Sequence, residues 1–267
     1  MSKLIKIKYS KKVMIKSKIN KVVILAGGYG TRISEETISK PKPMVEIGGK
    51  PILWHIMKIY SHYGINDFII CCGYKGDQIK KYFKKNSSKT KNMKNKIPEN
   101  WKITFVDTGL NTMTGGRLKK VYKYLKNEKA FYFTYGDGVS NVNIFKLTDF
   151  HFKHNKLSTV TAIIPKPNYG ILKIGSNNIV SKFEEKPTDK SNWVNGGFFI
   201  LNPKVIKLIK NSKSIWEKDQ LPLLAKKGEL YAYKHKGFWK CMDTLRDKNF
   251  LNELWKKNLA VWKNWNE

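Results

Sequence analysis

Short apolar runs recur along the first half of this chain, separated by stretches in which apolar positions return at helical spacing. Lys21-Val22-Val23-Ile24-Leu25-Ala26 is the first run. It reads as a strand buried on both faces of a parallel sheet, and it leads straight into Gly27-Gly28-Tyr29-Gly30. The spacing predicts a helix over 51–63, with Pro51 suited to a first-turn position and Gly64 to the stop. Residues 67–72 read as the next strand, 75–85 as a helix, 101–106 as a strand and 116–125 as a helix; 130–135 is a strand ending at Gly136-Asp137-Gly138.

From residue 159 the pattern shifts toward strands, at 159–164, 170–174, 179–184 and 194–201, with helices at 204–209 and 244–257. Strands alternating with helices predict an α/β fold, in which an open, mostly parallel sheet is covered on both faces and ligands collect at the carboxyl ends of the strands. Residues 86–100, dominated by Lys, Asn and Ser without hydrophobic periodicity, read as a mobile loop. No internal repeat or linker divides the pattern, so 21–267 is expected to form a single domain whose second half builds the substrate side. Residues 1–20 alternate lysine with isolated apolar residues and are expected to be a disordered basic extension, within which Met14 is an alternative start.

A chain of 267 residues that is 41% hydrophobic can bury one large core. No apolar run approaches the roughly 18–20 residues needed to span a bilayer, and the lysine-rich beginning lacks the apolar core of a secretory signal. Three cysteines, of which Cys71 and Cys72 are neighbours, point to reduced thiols in a cytoplasmic compartment. The formal charge of +32 raises the question of nucleic acid. The lysines, however, run through strands, helices and loops alike and no nucleic-acid module is recognisable, so a solvated lysine coat is expected. Only three of the 52 basic residues are arginines, and each sits in a compact motif: Gly30-Thr31-Arg32, Gly115-Gly116-Arg117 and Asp243-Thr244-Leu245-Arg246-Asp247. Guanidinium groups retained amid so much lysine mark positions that need a planar, multi-donor fork.

Glycines directly after a buried strand let backbone N–H groups approach phosphate oxygens. In Leu25-Ala26-Gly27-Gly28-Tyr29-Gly30-Thr31-Arg32, followed by Lys40-Pro41-Lys42-Pro43-Met44, Arg32 and Lys42 add charge suited to a triphosphate. No Lys-Ser or Lys-Thr pair follows the glycines, so the loop is neither a Walker A loop nor a dinucleotide fingerprint. Asp137, placed after a strand and between two glycines, suits a hard cation at the ligand edge of the sheet or a plain turn. Asp243 suits the same cation or the cap of a helix. Thr112 and Arg117 are candidates for holding a base, Arg117 through its fixed donors. His55, His62, His151, His154 and His235 lack metal-ligand spacing, and Cys241 reads as a small buried side chain. Trp255, Trp262 and Trp265 are expected to pack a core or to dock on a neighbouring subunit.

The Gly-Gly-x-Gly-Thr-Arg loop with its downstream Pro-Lys-Pro-Met resembles the signature of the sugar-1-phosphate nucleotidyltransferases. Two further stretches are similar to the glucose-1-phosphate cytidylyltransferase branch: Val45-Glu46-Ile47-Gly48-Gly49-Lys50-Pro51-Ile52-Leu53-Trp54-His55, and Asp107-Thr108-Gly109 with Met113-Thr114-Gly115-Gly116-Arg117. The resemblance runs from about Lys21 to the C-terminus. It implies a Rossmann-like fold with a mostly parallel, mixed central sheet and a smaller β-rich portion that binds sugar. It also implies CTP and glucose 1-phosphate as substrates and a homo-oligomer, a hexamer being one form it suggests. In such a family Asp137 and Asp243 hold Mg²⁺. Leu25, Ala26, Gly27, Gly28, Gly30, Thr31, Arg32, Lys42, Thr112 and Arg117 surround the nucleotide, with Arg117 meeting the cytosine. Lys186 of Glu184-Glu185-Lys186-Pro187 grips the sugar phosphate beside Glu185, Asn195 and Gly196 form the sugar-binding turn, and Gly170 lets the sugar approach. Arg32, Lys42 and Lys186 carry the catalytic charge.

Overall fold

The computed structural model describes residues 19–87, 100–165, 171–174, 176–184 and 192–265. Four strands form the parallel heart of the main sheet: β1 (Lys21–Ala26), β4 (Asp67–Cys72), β5 (Lys102–Asp107) and β6 (Phe131–Tyr135). Between β1 and β4 lie the short α1 (Ser34–Thr37), the hairpin β2 (Glu46–Ile47) and β3 (Lys50–Pro51), and α2 (Ile52–His62). The helices α3 (Gly76–Ser87) and α4 (Thr114–Lys120) connect the remaining strands of this half. Side chains of β1 alternate between two cores, as a strand buried on both faces must. Val22, Ile24 and Ala26 join Ile56, Phe68 and Phe83, whereas Val23 and Leu25 join Leu118, Phe133 and Trp216.

After β7 (Gly138–Ser140) and α5 (Ile144–His154), β8 (Ser158–Ile163) adds to the sheet. A hairpin of β9 (Ile171–Ile174) and β10 (Val180–Glu184) stands off it, and β11 (Val194–Asn195) and β12 (Phe199–Leu201) follow. The chain closes with α6 (Leu221–Lys226), β13 (Leu230–His235), β14 (Trp239–Cys241) and α7 (Leu245–Lys256). Both β11 and β12 lie antiparallel to β8 on its one edge, while β13 runs parallel along the other. The spatial order is therefore β13, β8, β11 with β12, β6, β1, β4 and β5. Every strand of this sheet points the same way except the β11–β12 line.

That line is one strand broken by a bulge. Ser158 pairs with Leu201 and Thr159 with Ile200, but Ala162 pairs with Asn195 and Ile163 with Val194, so the register slips between the two ends. Gly197 and Phe198 take up the slack at φ 71° and 47°. The sequence pattern read this stretch as one continuous strand. It also gave no sign of α5, α6 or β13, and it made a helix of 204–209 where a 3-10 turn, Pro203–Leu208, is found.

Where a loop was expected over 86–100, α3 takes in the first two residues and ends at Ser87; 88–99 lie outside the described residues. Most of the basic extension, including Met14, also lies outside them, although Ile19 is fully buried in the core. Trp262 and Trp265 are buried against their own chain around His55, which also faces Trp54 and Trp255 edge-on, so the aromatic tail is used internally. Among the described residues no helix is long and apolar enough to cross a membrane. The three cysteines are free.

His55 is buried completely, with Nε2 against the Ile47 carbonyl oxygen at 2.9 Å and Nδ1 facing the Trp262 indole N–H at 3.4 Å. Burial holds its pKa down to about 4, against hydrogen bonds to the backbone of Ile47 and Lys50 and with the charge of Lys263 adding to the fall. The unfolded chain therefore takes up a proton below about pH 6.5 that the folded chain refuses. Its contribution is full above that pH and drains away as the pH falls toward 4, by up to about 3 kcal/mol. Melting temperatures followed from pH 7 to pH 4.5 should fall steeply in the wild type and less steeply in His55→Gln. His151, also held at about 4 by burial, supplies a remaining slope.

Candidate active site

The carboxyl ends of β1 and β6 open into a cleft of about 500 Å³. Its floor and walls include Leu25, Ala26, Gly27, Gly28, Gly30, Thr31, Arg32, Lys42, Thr112, Arg117 and Asp137. The nucleotide-side residues expected from the sequence are thus brought to one place. Gly30 sits in the left-handed region at φ 70°, and a Cβ there would meet Lys42 at 2.9 Å, so the turn and the lysine require each other. A Cβ on Gly27 would lie 2.2 Å from the Arg117 guanidinium.

Lys42 opens a 3-10 turn (Lys42–Met44) whose entry is fixed by Pro41 and whose exit is closed by the Val45 N–H donating to the Lys42 carbonyl. Its side chain is almost buried, and Nζ donates to Asp137 Oδ2 and to Asp243 Oδ1, each at 2.6 Å. The exposed Arg32 donates to Asp243 Oδ2 at 2.8 Å. Burial works against the Lys42 charge, but the Asp137 carboxylate and the hydrogen bonds to both aspartates outweigh it, and its pKa is raised. Two carboxylates and two cations make a neutral cluster.

Backbone pairing explains how aspartates so distant in sequence meet. β14 lies antiparallel to β7 with Cys241 opposite Gly138, and the Met242 N–H donates to the Asp137 carbonyl at 2.8 Å. The sequence left Asp243 as a possible helix cap. In the structure Thr244 caps α7 in a reciprocal box with Asp247, so the Asp243 carboxylate is free to face the cleft. Asp247 is itself held down by Lys240 at 2.5 Å.

Asp137, Cys241 and Asp243 form the one group among the described residues whose donor atoms stand close enough to share a metal ion, all within 4.8 Å of one another. Burial, and then the charge of Asp137, push the Cys241 thiol far upward, so it stays protonated and the donors offered are carboxylate oxygens. The Lys42 ammonium already stands as a cation where those oxygens converge. A hard divalent ion such as Mg²⁺ fits that donor set.

Arg117 is placed differently from the expectation of a fork open to a base. It is 4% exposed. NH1 donates to the Thr108 hydroxyl at 2.6 Å and to the carbonyls of Gly109 and Cys72 at 3.0 and 3.2 Å, while NH2 donates to those of Gly27 and Leu110 at 2.9 and 3.2 Å. The guanidinium ties the ends of β1, β4 and β5 together and fixes the walls of the cleft. Thr112, also buried, accepts a hydrogen bond from Lys120 at 3.2 Å. Tyr29, which the sequence reading passed over, lines the opposite wall with its hydroxyl on Asn111 at 3.1 Å.

On the other side the β11–β12 bulge presents Asn195 and Gly196. Asn195 Oδ1 accepts from the Gly197 N–H at 2.8 Å and Nδ2 donates to the Tyr135 hydroxyl at 3.2 Å, while the Gly196 carbonyl accepts from the Trp239 indole at 2.7 Å. Tyr135 in turn donates to Glu217 at 2.6 Å. Tyr135, Glu217 and Trp239 were missed because aromatic and acidic residues in strands and turns carry no local signal of a ligand. Gly170, Glu185 and Lys186 lie outside the described residues.

Comparison with known proteins agrees with this geometry. The model of the nucleotidyl transferase family matches residues 21–252. A glucose-1-phosphate cytidylyltransferase of Salmonella typhimurium is 54% identical over 92% of this chain and 99% of its own length. A protein of Bacillus subtilis named "Probable glucose-1-phosphate cytidylyltransferase" is 44% identical over 92% of this chain and all of its own. Among solved structures, HddC from Yersinia pseudotuberculosis superposes with a TM-score of 0.69 at 27% identity, over 89% of this chain and 100% of that one. With its glycine loop, its mixed α/β sheet and its match along nearly the whole described body, the chain belongs to the nucleotidyl transferase family.

Proposed function

We propose that this chain transfers the CMP unit of CTP to the phosphate of α-D-glucose 1-phosphate, giving CDP-glucose and pyrophosphate. The observation that carries the reading is the cluster of Lys42 and Arg32 on Asp137 and Asp243, at the mouth of a glycine-walled cleft. Identity of 54% to the Salmonella enzyme supports the choice of substrates.

A phosphate oxygen of the sugar attacks the α-phosphorus in line, and the bond to the bridging oxygen breaks with its electron pair leaving on pyrophosphate. The attacking oxygen is already anionic, so no general base is needed, and no histidine is among the residues lining the cleft. Catalysis rests on positioning and on charge neutralisation. Asp137 and Asp243 would hold Mg²⁺, which when bound would supply Lewis-acid neutralisation of the phosphates. Lys42 and Arg32 are the chain's own phosphate ligands, and the backbone of Gly27 and Gly28 lines the same space. Thr112 and the walls that Arg117 fixes shape the base site. Asn195 and Gly196 receive the sugar, and by resemblance Lys186, Glu185 and Gly170 complete that side. The same reading places the enzyme in a reducing cytoplasm, supported by its three free thiols, and takes in a homo-oligomer.

Turnover of glucose 1-phosphate with CTP, UTP, dTTP and GTP, followed by pyrophosphate release, should give the highest kcat/KM with CTP; a faster rate with UTP or dTTP would overturn the cytidylyl assignment. Lys42→Ala and Asp137→Asn should each lower kcat by about a hundredfold or more. Melting curves of the same variants check that the fold is kept, and an unaltered kcat in either variant would remove the cluster from the mechanism.

A further inference from the structure

Behind the cleft, and not lining it, lies Glu217 in a π-helical turn, Trp216–Gln220. This turn is fastened to the start of α4. The Met113 N–H donates to the Ser212 carbonyl at 2.9 Å, the Gly116 N–H to that of Ser214 at 3.1 Å, and the Trp216 N–H to the Thr114 hydroxyl at 2.9 Å. Only glycines permit this approach: a Cβ on Gly116 would stand 2.3 Å from the Ser212 carbonyl oxygen, and one on Gly115 would stand 2.7 Å from Gln220 Oε1.

Held there, Glu217 spends both carboxylate oxygens on hydroxyls that do line the cleft. Oε2 accepts from Thr114 at 2.7 Å and Oε1 from Tyr135 at 2.6 Å. A carboxylate only accepts, and a phenol has one proton to give. With that proton committed to Glu217, the Tyr135 oxygen can only accept. Asn195 is oriented to match, with its NH₂ toward Tyr135 and its oxygen toward the Gly197 N–H. The hydrogen-bond polarity of the sugar side is thus set by a residue that the sugar does not touch.

We infer that Glu217 is a positioning residue that makes the Tyr135 oxygen an obligate acceptor for one hydroxyl of the sugar phosphate, and so sets selectivity among hexose 1-phosphates. This rests on the proposed function. A ligand with a hydroxyl at that point is accepted, and one bearing only an acceptor there is rejected because two lone pairs face each other.

The test compares wild type, Glu217→Gln and Tyr135→Phe. A carboxamide can accept from one of the two hydroxyls but must donate to the other, so Glu217→Gln breaks the polarity at nearly constant volume. KM for glucose 1-phosphate should rise about tenfold, with kcat and the KM for CTP changed by less than about twofold. Tyr135→Phe should show the same split, and the double variant should be no worse than Tyr135→Phe alone. Across the four monodeoxy-fluoro analogues of glucose 1-phosphate (positions 2, 3, 4 and 6), wild type should discriminate against one in particular, and Glu217→Gln should lose that discrimination. Equal changes in the constants for both substrates, additivity of the two substitutions, or an unchanged fluoro-sugar profile would overturn the inference. Should Glu217→Gln fail to fold, Tyr135→Phe with the fluoro-sugar panel decides alone. A wild type that turns over another sugar phosphate instead would sink the proposed substrate and leave the Glu217 comparison to be run on that sugar.

Discussion

The contact on which this site depends is one ammonium group held between two carboxylates. Lys42 comes from the turn after the glycine loop, Asp137 from the end of β6 and Asp243 from the approach to α7, so the contact closes the beginning, middle and end of the chain onto one point. An uncompensated charge at a buried site costs on the order of 3–5 kcal/mol when its partner is removed. The two aspartates therefore hold the Lys42 ammonium in place. Arg32, outside on Asp243, is exposed and held more weakly. With two cations on two carboxylates the cluster is neutral as it stands, so no bare charge is left beside the cleft.

The sheet supplies the rest of the geometry. Six of its strand lines point the same way and bring the carboxyl ends of β1 and β6 to the cleft, as open α/β sheets do. The reversed β11–β12 line delivers a different kind of feature to the same edge. A strand running the other way begins where its neighbours end, so its bulge lies at the ligand edge and turns Asn195 and Gly196 toward the cleft. The reversal explains why Asn195 and Gly196 come from the start of a strand line, whereas the glycine loop and Asp137 come from turns that follow strands.

The parallel half was legible because each element there obeys a single rule. β1 and β4 are continuous apolar runs with the predicted bounds, and α2 is a helix stopped by Gly64 at φ 78°. Elements that serve two masters were not legible. In α5 the helical period is blurred by Phe145, which is 44% exposed, and β13 is an edge strand with both faces partly open. The glycine loop and Lys42 were readable from the signature they share with the family, and the two aspartates only beside that signature, since a turn or a helix cap would otherwise account for them. Tyr135 and Glu217 were not, since their roles arise only from the side chains they meet in space.

Arginine scarcity singled out Arg117 as a fork for a base, and the structure shows that fork turned onto the backbone. Where lysine serves at most basic positions, Arg117 persists because its flat fork reaches the Thr108 hydroxyl and four carbonyls on three strand ends at once. A lysine there would offer one point of charge and leave buried carbonyl oxygens without donors. The fork thus acts on the walls of the cleft. A single guanidinium with all its terminal donors engaged fixes the three strand ends relative to one another, and it brings a positive charge to the wall of the cleft.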